Sequence, residues 1–441
     1  MTSPAPRGRW RRLVVDTEPL KIAAYRRILV GYGVSFVGFQ VTAVAVPVQL
    51  YAITGSSFYV GLLGLVQLVP LVSFGLWGGA VADAVDRRLL ALVSSLVVWA
   101  TTLGLLVQAL AHSRSVLLIM ALMAVQAGAF AIVQPTRGAI IPRLVPTRLV
   151  PAANTLSFTM ANVATIAGPL VAGFFLGRSS GYTWAYGLDA VLFSMALYAT
   201  LRLPALPPLG ETSRPGLRSV IDGLRFVASR PVLLMSFVVD ICAMVLAMPR
   251  ALFPEMADRH FGGPGAVGWL YSALAVGAVL GGLSSGWIGR VRRQGLALIL
   301  AVVAWGLTIA LAGFARSLWL AVLLLALAGT ADLVSAVYRQ TLLQVYAPDE
   351  LRGRLQGVFI VVVTGGPRLG DARAGMVAAS VGATASWVAG GVACAVVVIA
   401  LGLAFPALLR YRTGAEVAPE PAAVADAVVD ADPAASEPPR P

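Results

Sequence analysis

A succession of apolar runs constrains this chain more than any other feature: each is long enough to cross a bilayer, and most are separated by only a few residues. A membrane-spanning helix takes roughly 20 predominantly apolar residues. Runs of that kind occupy 28–53, 58–82, 88–111, 115–138, 155–177, 183–203, 231–256, 265–289, 294–314, 317–345, 356–381 and 385–409. Inside hydrocarbon every backbone N–H and C=O must find a partner within the protein, so spans of this length are helical. The expectation is therefore an all-α membrane protein with twelve transmembrane helices. Soluble domains are excluded, because hydrophobic residues make up 58% of the chain and charged ones 12%, against about 25% charged in soluble proteins.

The net charge of +13 invites a nucleic-acid reading, but its distribution opposes one. With the N-terminus in the cytoplasm, the inner segments hold Arg7, Arg9, Arg11, Arg12, Lys21, Arg26 and Arg27, then Arg87, Arg88, Arg143 and Arg148. They continue with Arg202, Arg214, Arg218, Arg225, Arg230, Arg290, Arg292, Arg293, Arg352, Arg354, Arg410 and Arg412, while the outer connections hold Arg114, Arg178, Arg259 and Arg316. This asymmetry is the positive-inside pattern. It predicts a multi-pass protein of the plasma membrane with both termini cytoplasmic, the lipid bilayer as its partner and no nucleic acid. Cys242 and Cys394 both fall inside spans, so neither a disulfide framework nor a metal site is indicated. Residues 1–27 lack a cleavable-signal pattern and read as a cytoplasmic segment.

The spans divide into two sets of six, 28–203 and 231–410. Between them, 204–230 carries Pro204, Pro207, Pro208 and Pro215, followed by a stretch with Leu217, Val220, Ile221, Leu224 and Val227 at helical spacing. That stretch reads as an amphipathic interfacial helix in a cytoplasmic linker. Residues 411–441 are rich in Ala, Pro, Glu and Asp and read as a disordered tail. The halves also echo each other. Arg137, Pro146 and Leu149 recur as Arg339, Pro348 and Leu351, each 202 residues later, and the same offset pairs Gly168 with Gly370. Duplicated six-helix bundles are the building plan of alternating-access carriers.

The turn between the second and third spans contains Gly79, Asp83, Asp86, Arg87 and Arg88. This resembles the loop motif of the major facilitator superfamily, with Asp86 where the family has its second glycine. The resemblance covers about residues 25–410 and implies a major facilitator fold of two pseudo-symmetric six-helix bundles, a monomer, and no cofactor. A second-half echo, 286–293, keeps basic residues but has no aspartate. The fifth span contains Gly168, Pro169 and Gly173 in a pattern similar to the family's antiporter motif, which marks exporters. Ala124 stands where many drug/proton antiporters carry an arginine. Short stretches at 185–188, 203–207, 268–271 and 370–372, together with Ser335, Gln344 and Arg354, resemble the enterobactin-exporter branch.

Charges inside spans cost about 2.5–3.5 kcal/mol on insertion scales and are functional candidates by default. Arg368, Asp371 and Arg373 cluster in the eleventh span beside Gly365-Gly366-Pro367. Interrupted segments at matching places in two halves point to a central site. Arg368 and Arg373 are the candidates to attract an anionic or phenolic cargo, and Asp371 or Asp240 to bind a counter-moving proton. Asp332 and Arg339 share one face of the tenth span and read as a structural pair. Asp83, Arg87, Arg88 and Arg137 read as a cytoplasmic latch, and Gly168-Pro169 as a bend in span five.

Taken together, these features predict a secondary active transporter, a proton-driven antiporter exporting a small organic molecule such as a siderophore. Multidrug efflux is the alternative load, and a non-transporting sensor or scaffold the alternative class. No P-loop, nucleophile motif or His/Cys cluster points to an enzyme. The choice of protons over sodium follows from the resemblance alone.

Overall fold

The computed structural model describes residues 16–204, 217–347 and 352–412, so the tail assigned to 411–441 lies almost wholly outside the described residues. The first half comprises α1 (Ala23–Thr54), α2 (Ser57–Ala84), α3 (Arg87–Leu110), α4 (Val116–Leu144), α5 (Val150–Leu176) and α6 (Gly181–Leu201). After the linker come α7 (Leu217–Ser229), α8 (Pro231–Ala247), α9 (Phe253–His260), α10 (Val267–Leu283) and α11 (Gln294–Gly313). The chain continues through α12 (Leu318–Tyr346), α13 (Arg352–Val381), α14 (Ala383–Ala404) and α15 (Pro406–Arg410). Eleven segments among the described residues are long and apolar enough to cross a membrane. α13 has 30 residues and runs beside α2, α8 and α14.

Short polar caps set the helix ends. Ser115 and Ser317 accept from Leu118 N–H and Leu320 N–H, starting α4 and α12. Asp86 does the same for α3, accepting from Arg88 N–H at 2.7 Å and Leu89 N–H at 3.3 Å. Its presence in place of a motif glycine thus has a local cause. Gly55 ends α1 with φ +64°, a left-handed cap that favours glycine.

Two spans differ from the expectation of unbroken helices. The seventh, expected over 231–256, breaks after Ala247, where Met248 is extended and Pro249 lacks an N–H. A 3-10 turn at Arg250–Leu252 leads into α9. The eighth ends at Leu283 and gives way to a 3-10 turn over Ser285–Arg290. In the linker helix α7, Val227 is buried, whereas Ile221 and Leu224 face outward, so the expected apolar stripe is split between bundle and surroundings.

α1–α6 pack on one another, and α8–α14 form a second group. The groups meet through α2 on α13 and α5 on α10. Both contacts lie near the end of the bundle opposite the chain's described termini, and both depend on glycine. A Cβ on Gly61 would lie 2.6 Å from Asp371 O and 3.0 Å from Gly375 Cα. A Cβ on Gly173 would lie 2.6 Å from Gly265 O and 3.0 Å from Gly268 Cα. Only bare backbones approach this closely. Ser57 Oγ adds a hydrogen bond to Glu255 Oε2 at 2.5 Å, and Arg259 pairs with Glu255 at 3.0 Å.

Candidate functional site

Immediately beneath these closures lies a cavity of about 260 Å³, walled by both halves. The first half contributes Phe39, Gln40, Gln67, Gln126, Phe130 and Pro169. The second contributes Arg250, Tyr271, Pro367, Arg368 and Asp371. One wall is uncharged and amide-rich; the other carries two guanidinium groups and one carboxylate. Phe39 and Phe130 stack with centroids 4.4 Å apart and planes within 6°, and Phe36 extends the stack behind Phe39 at 5.9 Å. Such a surface accepts a flat ring.

The break in the seventh span builds the charged wall. Leaving the helix at Met248 frees backbone groups, and Ala251 N–H donates to Asp371 Oδ1 at 3.2 Å. Tyr271 OH donates to Arg250 O at 3.1 Å, holding the turn from α10. Arg250 is within electrostatic reach of Asp371 and Asp332. Arg368 Nη1 donates to Thr364 O at 2.7 Å, one turn back along α13, while its buried Nε has no hydrogen-bond partner among the described residues. A buried guanidinium donor left unmatched is costly unless something enters to accept from it.

The sequence-predicted residues separate into distinct groups. Arg368, Asp371 and Pro169 line the cavity. Arg373, two residues from Asp371, points elsewhere: Nε donates to Val245 O at 3.2 Å and Nη1 to Ser386 O at 3.4 Å, tying α13 to α8 and α14. Asp240 and Arg339 form a buried ion pair between α8 and α12. This corrects the expected Asp332–Arg339 pair. Seven residues along one helix is roughly 10 Å of rise, whereas Asp240 faces Arg339 from the neighbouring helix.

Gly168 and Gly173 serve different contacts. Gly168 packs against Gln40 and Val37 of α1, and Gly173 against α10, while Pro169 stands inside a continuous α5. Ser272 Oγ donates to Ile166 O at 2.9 Å across the same α5–α10 seam. Gly370, the offset partner of Gly168, packs against Met244 and Met248 of the broken span.

In the charged turn, Gly79 and Asp83 lie in the last turns of α2, and their side chains fall outside the described residues. Arg87 opens α3, and Arg88 Nη2 donates to Leu201 O at 2.8 Å, satisfying the end of α6. Arg137 stands over the Tyr32 ring at 3.9 Å. In the sequence Arg250 is only a charge near the outer end of the seventh span. The glutamines and the phenylalanine stack do not stand out there. Their one available signal was Phe36 and Phe39 at helical spacing.

Comparison with known proteins gives a consistent picture. The model of the transmembrane secretion effector family matches residues 15–428. The enterobactin exporter EntS of Shigella boydii serotype 18 is 30% identical over 394 residues, covering 88% of this chain and 93% of that protein. Among solved structures, the nucleoside transporter NupG superimposes with a TM-score of 0.71 at 16% identity, covering 88% of this chain and 99% of the other. A bacterial homologue of the iron transporter ferroportin, in an inward-facing state, gives 0.63 at 16% identity, covering 88% and 99%.

Proposed function

The chain belongs to the transmembrane secretion effector family of the major facilitator superfamily, and from that premise we propose that it exports a small organic molecule of the siderophore class in exchange for protons. It is a multi-pass membrane transporter and not an enzyme. In the proposal α13 completes the set as the eleventh of twelve spans, the two six-helix halves rock as units, and both termini face the cytoplasm. The chain works as a monomer. The glycine closures then form the outer gate, and the cavity belongs to a state whose outer side is shut. The turn over 79–88 and Arg137 act as the inner latch when the opposite side closes.

The observation that carries this reading is the cavity at the seam, with Arg250, Arg368 and Asp371 facing stacked Phe39 and Phe130. Arg250 and Arg368 bind oxygen acceptors of the cargo, and the rings hold its flat portion. An ionised Asp371 accepts a cargo hydroxyl; a protonated one has that oxygen occupied. Cargo therefore binds the deprotonated carrier and protons bind the empty one, which is the order an antiporter requires. Arg373 ties α13 to α8 and α14, and Asp240 pairs with Arg339 between α8 and α12. Resemblance to EntS over most of both chains favours a siderophore over a broad drug load.

The test compares iron-chelating metabolites excreted under iron starvation by a deletion strain, its parent and a strain complemented with Asp371→Asn. The deletion and the variant are expected to retain the metabolite inside the cell. Identical culture supernatants from all three would contradict the proposal.

A further inference from the structure

A second carboxylate lies inside the first half. Asp189 on α6 is 1% exposed, and its surroundings are polar but uncharged. Thr42 Oγ1 of α1 donates to Asp189 Oδ2 at 2.6 Å, and Thr102 Oγ1 of α3 lies 3.2 Å from the same oxygen. Oδ1 has no hydrogen-bond partner among the described residues. It sits where a Cβ on Gly38 would come within 2.5 Å, so the glycine leaves room for the carboxylate. We propose that Asp189 is a proton-binding site of the first half, coupled to the central cavity through Thr102 and Gln126.

Four observations support this assignment. First, among the described residues no basic side chain faces Asp189. α1 presents Thr42 and Gly38; α3 presents Thr102 and Trp99, whose Nε1 donates to Ala190 O at 2.9 Å. Of the basic residues of α1, α3 and α4, Arg26, Arg27, Arg87, Arg88 and Arg143 lie toward the helix ends away from this site, and Arg137, about two turns before the end of α4, stands over the Tyr32 ring. Tyr186, the nearest titratable neighbour on α6, donates to Gln49 Oε1 at 2.6 Å and is thereby engaged elsewhere. A permanent charge without a partner is expensive here; a carboxyl that gains and loses a proton is the group such a pocket suits.

Second, the network accommodates both protonation states without moving a heavy atom. When Asp189 is ionised, both threonine hydroxyls donate to Oδ2. When it is protonated, its own O–H donates to Thr102 Oγ1, and the Thr102 hydroxyl turns to Val98 O, already 3.2 Å away. Third, Thr102 Oγ1 accepts from Gln126 Nε2 at 3.3 Å in either state. Fourth, Gln126 lines the cavity. A cargo that draws the Gln126 amide toward itself weakens its bond to Thr102 and so changes the setting of the carboxyl. The proposal rests on the transport reading only for the direction in which this coupling is used.

Infrared difference spectroscopy of the purified full-length chain in lipid nanodiscs, stepped in pH in sodium-free buffer, tests it. The wild type is expected to gain a carboxylic-acid carbonyl band on acidification, assigned by carbon-13 aspartate labelling. One component should vanish in Asp189→Asn and persist in Asp371→Asn. Should Asp189→Asn fail to fold, Thr102→Val keeps the shape and decides. Losing a donor to the ionised form moves the midpoint of that component to higher pH by about one unit. Gln126→Leu is expected to shift the same midpoint and leave the Asp371 component in place.

Three results would overturn the proposal: no Asp189 component at any pH at which the protein stays folded; a midpoint indifferent to Thr102→Val; or a band displaced by sodium at constant pH. None of these depends on cargo. If Asp189 titrates in a protein whose deletion alters no excreted metabolite, the export reading fails and this one stands.

Discussion

Gly61→Ala offers a sharp perturbation of the outer closure. The added Cβ would lie 2.6 Å from Asp371 O, 3.0 Å from Gly375 Cα and 3.3 Å from Ala372 Cα, all backbone atoms that cannot swing aside. Reaching the 3.4 Å of ordinary contact requires α2 and α13 to part by roughly 0.8 Å at this point. Overpacking of this kind costs about 1–3 kcal/mol, which shifts a two-state equilibrium about 5- to 150-fold away from the closed form. Gly75→Ala is the matched control, because a Cβ there meets nothing within 4 Å on the same helix. Spin labels at Ala52→Cys and His260→Cys, in a background lacking Cys242 and Cys394, report the distance across the outer end. The wild type and Gly75→Ala are expected to share one short distance, and Gly61→Ala to add a longer population and slow export. An unchanged distribution with normal export would refute the claim that bare backbone contact holds this gate shut.

Arg250→Gln and Arg368→Gln are each expected to weaken binding of the exported iron-chelating metabolite to the purified protein by about 10- to 100-fold, the worth of one charge-assisted hydrogen bond. Arg373→Gln, whose partners are backbone carbonyls of α8 and α14, should lower thermal stability and leave affinity nearly intact; fluorescence quenching and thermal melts separate the two. Asp240→Asn strands Arg339 in the core and is expected to cost about 3–5 kcal/mol, while the double change Asp240→Leu with Arg339→Met recovers most of it in the same melts. Glu255→Gln keeps the contact with Ser57 but removes the charge that pairs with Arg259. A modest increase in labelling of outer-face cysteines is the expected result.

The apolar runs, the two halves and the charged turn were legible because each follows from one-dimensional pattern. A helix position relative to the membrane can be counted along the chain. What lies opposite it cannot. Helical spacing correctly put Asp332 and Arg339 on one face of α12, yet Asp240 on another helix supplied the partner. Sequence depth grouped Arg373 with Arg368 and Asp371. A two-residue step turns a helical side chain by about 200°, and that carries Arg373 to the far side of α13.

Pro249 was visible, but a proline near the end of a span does not say whether the helix kinks or stops. Stopping there is what gave Asp371 its Ala251 N–H donor. The glutamines and phenylalanines of the cavity carry no charge, and the helical spacing of Phe36 and Phe39 is too common to mark a site. The antiporter-like motif reads as one unit in the sequence, and only the fold divides Gly168, packed within the first half, from Gly173, packed across the seam.

The central claim is proton-coupled export through the cavity that holds Arg250, Arg368 and Asp371. Its most direct test is accumulation, in inverted membrane vesicles whose lumen is acidified by respiration, of the iron-chelating metabolite that the deletion strain retains. The account predicts accumulation above the external concentration with the wild-type chain, collapse on adding a protonophore, and none with Asp371→Asn at equal protein level. Accumulation that survives both the protonophore and Asp371→Asn, or none with the wild type, would contradict it.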